Sequence, residues 1–289
     1  MSAPSSSTPP KIFDRERIAA HLSRRNAADD FVATLVVEDL ADRLMPITRR
    51  FERALVMGPD AAALPSGGRS AEGEFAFERR ATILPGQDAD LVDPENLELP
   101  RADYDLIVSL LDLQVVNDVP GYLSRIHQHL APDGLFIAAV FGGASLSELR
   151  EAWLQADAAT SGGAFARVAP FIDVRDGGGL LQRAGFALPV ADLENHIVRY
   201  SDPLALMREI KKLGASNPLA EQPARMTMPG VLAAALEAYG RIASDPDGRV
   251  RATMQIVWLS GWAPHESQQK PLKPGSAQVS LKTVLGSKA

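Results

Sequence analysis

The apolar and polar positions of this chain change period several times, and each change marks an element. After a Ser-, Thr- and Pro-rich start, Ile18, Leu22, Phe31, Leu35, Leu40 and Leu44 recur at mostly helical spacings. This predicts two helices, broken near Asn26 to Asp30 and closed by Pro46. "FERALVMG" then reads as a short strand running into a loop, and "EFAFERRATIL", with Phe75, Phe77 and Arg79 alternating around smaller or polar residues, as a second strand. In "YDLIVSLLDLQ" the unbroken run Leu106, Ile107, Val108 predicts a strand buried on both faces. The period changes again in "DVPGYLSRIHQHL", where Leu123, Ile126 and Leu130 share a helix face; "APDG" reads as a stop and turn, and "LFIAAVFGG" as another buried strand. Strand, helix and strand over this length make a crossover unit, which requires a parallel sheet covered by helices.

Further helices are predicted at Ser147 to Ala159 and at Val174 to Ala184, the latter ending at "AGF" ahead of "ALPVADLENHIVRY". Another starts at the N-cap Asp202, with Pro203 in the first helical position, and stops at Gly214. "MPGVLAAALEAYGRIA" continues the helical series, and "ATMQIVWLSGW" reads as a late strand. The expected organisation is a tail over residues 1–10, one domain over 11–270 and a loose tail over 271–289. Within the domain, 11–50 supply N-terminal helices, 51–143 the core sheet, 144–250 helical insertions with a late strand, and 251–270 the final strand and the loop that carries "HES".

Composition narrows the chemistry. The chain has 289 residues, 46% hydrophobic and 23% charged, a formal net charge of −6 and no cysteine. It is long enough to bury a sizeable core, and the acidic balance argues against a nucleic-acid partner held by counterion release. Without cysteine there is no disulfide, no thiolate nucleophile and no Cys-ligated metal. The start lacks the basic and apolar segments of a secretory signal and the arginines of a transit peptide, and no run of about 18 apolar residues spans a membrane. The reading is a cytoplasmic location.

The candidate chemistry begins in "ALVMGPDAAALPSGG". A loop that cradles a nucleotide needs closely spaced glycines directly after its strand, because the backbone must approach the ligand. Here Gly58 is followed by Pro59, and the next glycine is Gly67. On the residues alone, Gly58 is either the remnant of such a turn or a glycine that ends a strand. Asp103 and Asp105, spaced by two, would share a strand face as a carboxylate pair, but they precede the buried run, and Asp105 reads as a structural strand-start residue. His127 and His129, two apart on a helix, point to different sides and cannot chelate one ion, so no metal site is expected. His265 and Glu266 in "GWAPHESQ" are either a general base with its orienting carboxylate or a polar loop at a sheet end. Gly142 and Gly143 end a strand where doubly wound sheets bind ligands, with Glu148 and Arg150 on the following helix.

"DYDLIVSLLDLQVVNDVPGYLSRIHQHLAPDGLFIAAVFGG" resembles the fourth strand, helix and fifth strand of class I S-adenosylmethionine-dependent methyltransferases. Together with "IFDRE", "FGGASLSELR", "PFIDVRDGGGLLQRAGF" and "GWAPHESQ" in that order, the span from Ile12 to Ala277 resembles bacterial relatives of the mitochondrial complex I assembly-factor methyltransferase-like family. That resemblance implies an α/β fold with a doubly wound, mostly parallel seven-stranded sheet, N-terminal helices and a helical insertion. It also implies S-adenosylmethionine as cofactor, a protein partner that is a subunit of respiratory complex I, and methylation or hydroxylation of a protein side chain.

By resemblance, Gly58 belongs to the cofactor turn, Glu78 is the candidate reader of the ribose hydroxyls, and Asp93 falls where an aspartate reads the adenine amino group. The chain departs from the family pattern in several places. Val56 replaces the acidic residue before the loop, Pro59 and Pro65 disturb the turn and the helix after it, and Leu113 to Asp118 lack the family's histidine and tryptophan. The stretch from Glu78 to Asp93 is short for the usual helix and third strand. Three functional expectations follow: a methyltransferase-like protein acting on a protein partner, a non-catalytic assembly module (a pseudoenzyme) that has lost the cofactor, or a small-molecule methyltransferase.

Overall fold

The computed structural model describes residues 11–25, 27–160, 163–221 and 227–269. The two expected tails, 1–10 and 271–289, and Asn26 therefore lie outside the described residues; the rest of the expected helix break is a 3-10 turn (Ala27–Asp29) followed by Asp30.

The first two helices form where the periodicity placed them. α1 (Arg15–Leu22) is capped by Asp14, whose carboxylate accepts the Arg17 N–H; α2 (Phe31–Leu44) is capped in the same way by Asp30, which accepts the Ala33 N–H. The strands are β1 (Ala54–Asp60), β2 (Gly67–Ser70), β3 (Gly73–Leu84), β4 (Ala89–Leu91), β5 (Tyr104–Leu110), β6 (Leu130–Phe141), β7 (Ala187–Tyr200) and β8 (Val250–Trp262). They form one sheet in the order β2-β3-β1-β5-β6-β8-β7, with β4 beside β3. β4, β3, β1, β5 and β6 run parallel, and β8 lies antiparallel between β6 and β7. Apart from β2, which makes a hairpin with the start of β3, seven strands among the described residues build the doubly wound sheet.

Two apolar layers hold this sheet. Leu55, Met57, Ile107 and Phe136 face α3 (Val119–His129) and α5 (Val174–Arg183), meeting Ile126 and Leu181. Val56, Leu106, Val108 and Ile137 face the other way, onto Val36, Leu40 and Leu44 of α2. Successive strand residues point to opposite faces, so a strand covered on both sides has to be apolar throughout, as 106–108 are. Leu55, Val56, Ile107 and Val108 are all completely buried.

The connections differ in build. α3 joins β5 to β6, starting at Asp118 and Pro120 and running directly into the strand. "APDG" is not the turn expected from the sequence; it is the irregular start of β6, where Asp133 takes a positive φ of 62° and the register with β5 shifts between Tyr104 and Leu106. Between β1 and β3 there is no α-helix, only a single 3-10 turn (Ala61–Ala63) and the hairpin strand β2. The stretch after Glu78 does hold the third parallel strand, β4, but only three residues of it. "ALPVADLENHIVRY" is the edge strand β7.

Beyond the sheet, α4 (Ser147–Thr160), α6 (Pro203–Lys212) and α7 (Pro229–Ala243) share a smaller core that includes Leu149, Leu206 and Tyr239. α6 stops at Gly214 as expected. The residue has φ +70°, and a Cβ there would come within 3.0 Å of the Leu22 backbone. Among the described residues no helix is long and apolar enough to cross a membrane.

Candidate functional site

β1 passes to β3 on one side and β5 to β6 on the other, so the strand order reverses between β1 and β5. Ligands of open α/β sheets bind at the carboxyl ends of the strands at such a reversal. A cavity of about 230 Å³ lies there. Pro59, Leu111 and Phe141 line it from the strand ends, Ile18 and Leu22 from α1, and Leu149 and Leu206 from the helical insertion. Its polar lining is sparse and mostly engaged. Arg167 donates to the buried Asp157 at 2.9 and 2.8 Å and lies over the Trp153 ring, while Gln114 accepts the Phe141 N–H at 3.2 Å.

Three motifs that are far apart in sequence meet beside this cleft. The Asn117 side-chain oxygen accepts the backbone N–H groups of Ile12 and Phe13, both at 2.8 Å, which docks "IFDRE" onto "VND". Glu95 accepts the backbone N–H groups of Asn117 and Asp118 at 2.7 and 3.0 Å and so holds the same loop from the other side. Arg15 reaches across to donate to the carbonyls of Thr82 at 2.6 Å and Val115 at 3.4 Å.

The end of β1 is an ionic cluster. Arg25 donates from Nε and Nη2 to Asp60 at 3.0 and 2.6 Å and from Nη1 to Asp30. All three side chains are 10% exposed or less. Asp60 and Asp30 spend their other oxygens on the N–H groups of Ala62 and Ala33, both at 2.9 Å. Asp112, just past β5, is fully buried; it accepts from the Thr82 hydroxyl, and its second oxygen has no hydrogen-bond partner among the described residues. Burial pushes its carboxyl above the ordinary range, opposed by the nearby Arg15 and by the Thr82 bond.

The candidates from the sequence are scattered around this frame. Gly58 lies at the end of β1, where a Cβ would meet the Leu110 carbonyl oxygen at 2.8 Å and Leu64 Cδ2 at 2.9 Å, so its close approach is to protein. Glu78 pairs with Leu55 near the start of β1, well back from the carboxyl edge, and is bound by the Tyr104 hydroxyl at 2.9 Å and by Arg80. Asp93 is exposed after β4 and caps a 3-10 turn by accepting the Glu95 N–H at 3.0 Å. His265 and Glu266 are exposed and follow β8, whose antiparallel course carries them to the amino edge, opposite the cleft. His265 Nδ1 lies 2.7 Å from the Ser267 hydroxyl.

Other residues singled out in the sequence have structural partners. Asp105 takes the Arg53 guanidinium and the Glu52 and Arg53 N–H groups; burial raises its carboxyl, yet these bonds bring it below the ordinary range. Glu148 bonds Thr253, Arg150 the Ala169 carbonyl, and Gly142 the Gln255 carbonyl. His127 sits edge-on to Phe186, and His129 faces the Arg101 carbonyl. Sequence reasoning missed Arg15, Arg25, Asp30, Asp60, Glu95 and Asp112. The signal available was that Arg15 and Glu95 fall inside "IFDRE" and "VDPENLEL".

This strand order, with an antiparallel strand set between the last two and a cleft at the reversal point, defines a class I methyltransferase-type α/β protein. The family model of a methyltransferase domain matches residues 48–189. The arginine-hydroxylase NDUFAF5 of Danio rerio is 34% identical over 262 residues, covering 87% of this chain and 81% of its own length; the Homo sapiens protein is 35% identical over 296 residues, covering 96% and 86%. A malonyl-[acyl-carrier protein] O-methyltransferase of Halorhodospira halophila is 34% identical over 203 residues, 70% of this chain and 67% of that protein. The chain belongs to the family of the arginine-hydroxylase NDUFAF5 proteins, with which it shares nearly its whole length.

Proposed function

We propose that this protein is a methyltransferase-like factor of respiratory complex I assembly that engages a protein partner at the carboxyl-edge cleft, and that it does so without S-adenosylmethionine in the usual seat. Kinship with the arginine-hydroxylase NDUFAF5 proteins over most of both chains supports the partner class. The observation that carries the cofactor part is the end of β1. A cofactor of that size needs a glycine turn open to it, a helix N-terminus and free acceptors for the ribose hydroxyls. Here Leu64 and the Leu110 carbonyl stand against Gly58, a 3-10 turn and hairpin take the helix's place, and Arg25 holds Asp60. At the end of β3 stands the neutral Thr82, whose hydroxyl is already given to Asp112. The residues present do not fit the group, and no chemical step is assigned to it.

Under this reading the chain's own residues bind and orient. The apolar cleft takes up side chains of the partner, and the cleft's rigidity comes from the Asn117, Glu95 and Arg15 bonds. A second reading, cofactor-dependent modification of a partner side chain, is favoured by the methyltransferase-domain match. Calorimetric titration with S-adenosylmethionine separates the two. The expected result is a flat titration and an unchanged melting temperature; saturable binding at micromolar to sub-millimolar ligand with a thermal shift establishes the second reading instead. Co-purification from the native cell is expected to recover a complex I subunit, and consistent failure to do so overturns the partner assignment. A cytoplasmic location belongs to the proposal and is checked by fractionation.

A further inference from the structure

Away from the cleft, α2 and the edge strand β7 bring three metal-ligating side chains together. Glu194 and His196 are alternate residues of β7 and therefore share a face of the sheet, the face covered by α2. Asp39 and Arg43 are four apart on α2 and share the helix side turned toward them. One ligand atom each from Asp39, Glu194 and His196 lie within 4.8 Å of one another. His196 Nε2 is 3.7 Å from Glu194 Oε2.

Two of these atoms, Asp39 Oδ2 and His196 Nε2, are buried without a hydrogen-bond partner among the described residues, and buried polar atoms in folded proteins nearly always have one. Arg43 is the cation at this spot, but it is held by Glu194 and by Asp192 at 2.8 Å, with its guanidinium over the Trp258 ring. Three carboxylates (Asp39, Asp192, Glu194) against one guanidinium leave a formal surplus of two negative charges, the amount a divalent cation cancels.

We propose that Asp39, Glu194 and His196 form a binding site for a divalent transition-metal ion of the zinc type, which ties α2 to the edge strand β7. The donor set decides the class. One imidazole nitrogen and two carboxylate oxygens suit zinc and its first-row neighbours, whereas magnesium and calcium prefer oxygen alone. Zinc–ligand bonds of about 2.0–2.2 Å put tetrahedral ligand atoms about 3.5 Å apart, so the three atoms, now within 4.8 Å of one another, draw together on binding. Arg43, bonded to Glu194 from outside, fixes the orientation of that ligand as outer partners of metal sites do.

The test is calorimetric titration of zinc ion into the full chain after chelator treatment, with melting temperature read in parallel. One equivalent is expected to bind and to raise the melting temperature. His196→Gln and Asp39→Asn are each expected to weaken binding at least about tenfold, while Glu237→Gln, an exposed carboxylate on α7, leaves it unchanged. Melting of the variants in chelator reports whether each is folded; the two substitutions are independent, so one that fails to fold leaves the other to decide. Absence of zinc binding by the wild-type chain overturns the site, and so does affinity retained within twofold in a folded variant.

Discussion

The two crossovers on either side of the strand reversal are built differently. From β5 to β6 the chain uses α3, whose Tyr122, Leu123 and Ile126 are completely buried against the sheet. From β1 to β3 it uses a 3-10 turn and a hairpin, and closes the gap with Leu64 and an arginine borrowed from the N-terminal segment. Both return the chain to a parallel neighbour, yet only the first supplies an apolar helix face. The difference teaches that sheet order is kept without a crossover helix when the strands are apolar on both faces.

The sharpest way to break this comparison is Arg25→Ala. It strands Asp30 and Asp60 as buried carboxylates without their cation, and breaking a buried pair from one side costs about 3–5 kcal/mol. Urea unfolding with an unchanged slope should register that loss; a cost below about 1 kcal/mol would mean the cluster is not what closes the short crossover. The next test compares truncations across the two connections. Ile126→Ala under α3 should fall high in the roughly 2–5 kcal/mol range for buried aliphatic side chains, and Leu64→Ala near its lower end. Equal losses would show the short crossover to be packed as tightly as the helical one.

The smallest effect is expected at Asp112→Asn. Because burial raises this carboxyl, the folded chain keeps its proton to higher pH than the unfolded chain does. The stability linked to that proton is full below the unfolded carboxylate pKa and is lost as pH rises through the folded one. The asparagine variant should therefore gain on the order of 1 kcal/mol at pH 7, with the gain vanishing near pH 4. A variant less stable than wild type at pH 7 would mean that the ionised carboxylate, with Arg15 and Thr82, is a net stabilising group.

How much of this was legible in the sequence follows from what each signal depends on. The β5–α3–β6 unit was readable because its burial is local: a continuous apolar run, a helical stripe and a capped start. β7 was harder to read because an edge strand covered only in part alternates half-buried and exposed residues, and Leu188, Val190 and Ile197 stay exposed. The start of β6 was misread as a turn because "APDG" has turn chemistry, and the pairing of Tyr104 with Leu130 overrides it. Among the site candidates, Glu78 and His265 were placed by order along the chain, but several of the side chains at the cleft arrive through contacts between separate elements, as Arg25 with Asp60 and Ile12 with Asn117 do. The cluster of Asp39 with Glu194 and His196 is of the same kind, since no spacing along one element announces it.

The position of β8 has a consequence for biosynthesis. It is the last described strand of the chain, yet it enters the sheet between β6 and β7 and pairs with both along nearly its whole length. Until residues 250–262 have left the ribosome, β6 has an open edge and β7 has no neighbour, so from the completion of β7 at Tyr200 until then the nascent chain carries both strands without their shared partner. The sheet is completed by insertion into its interior, and its final step is the one that joins the two parts of the molecule.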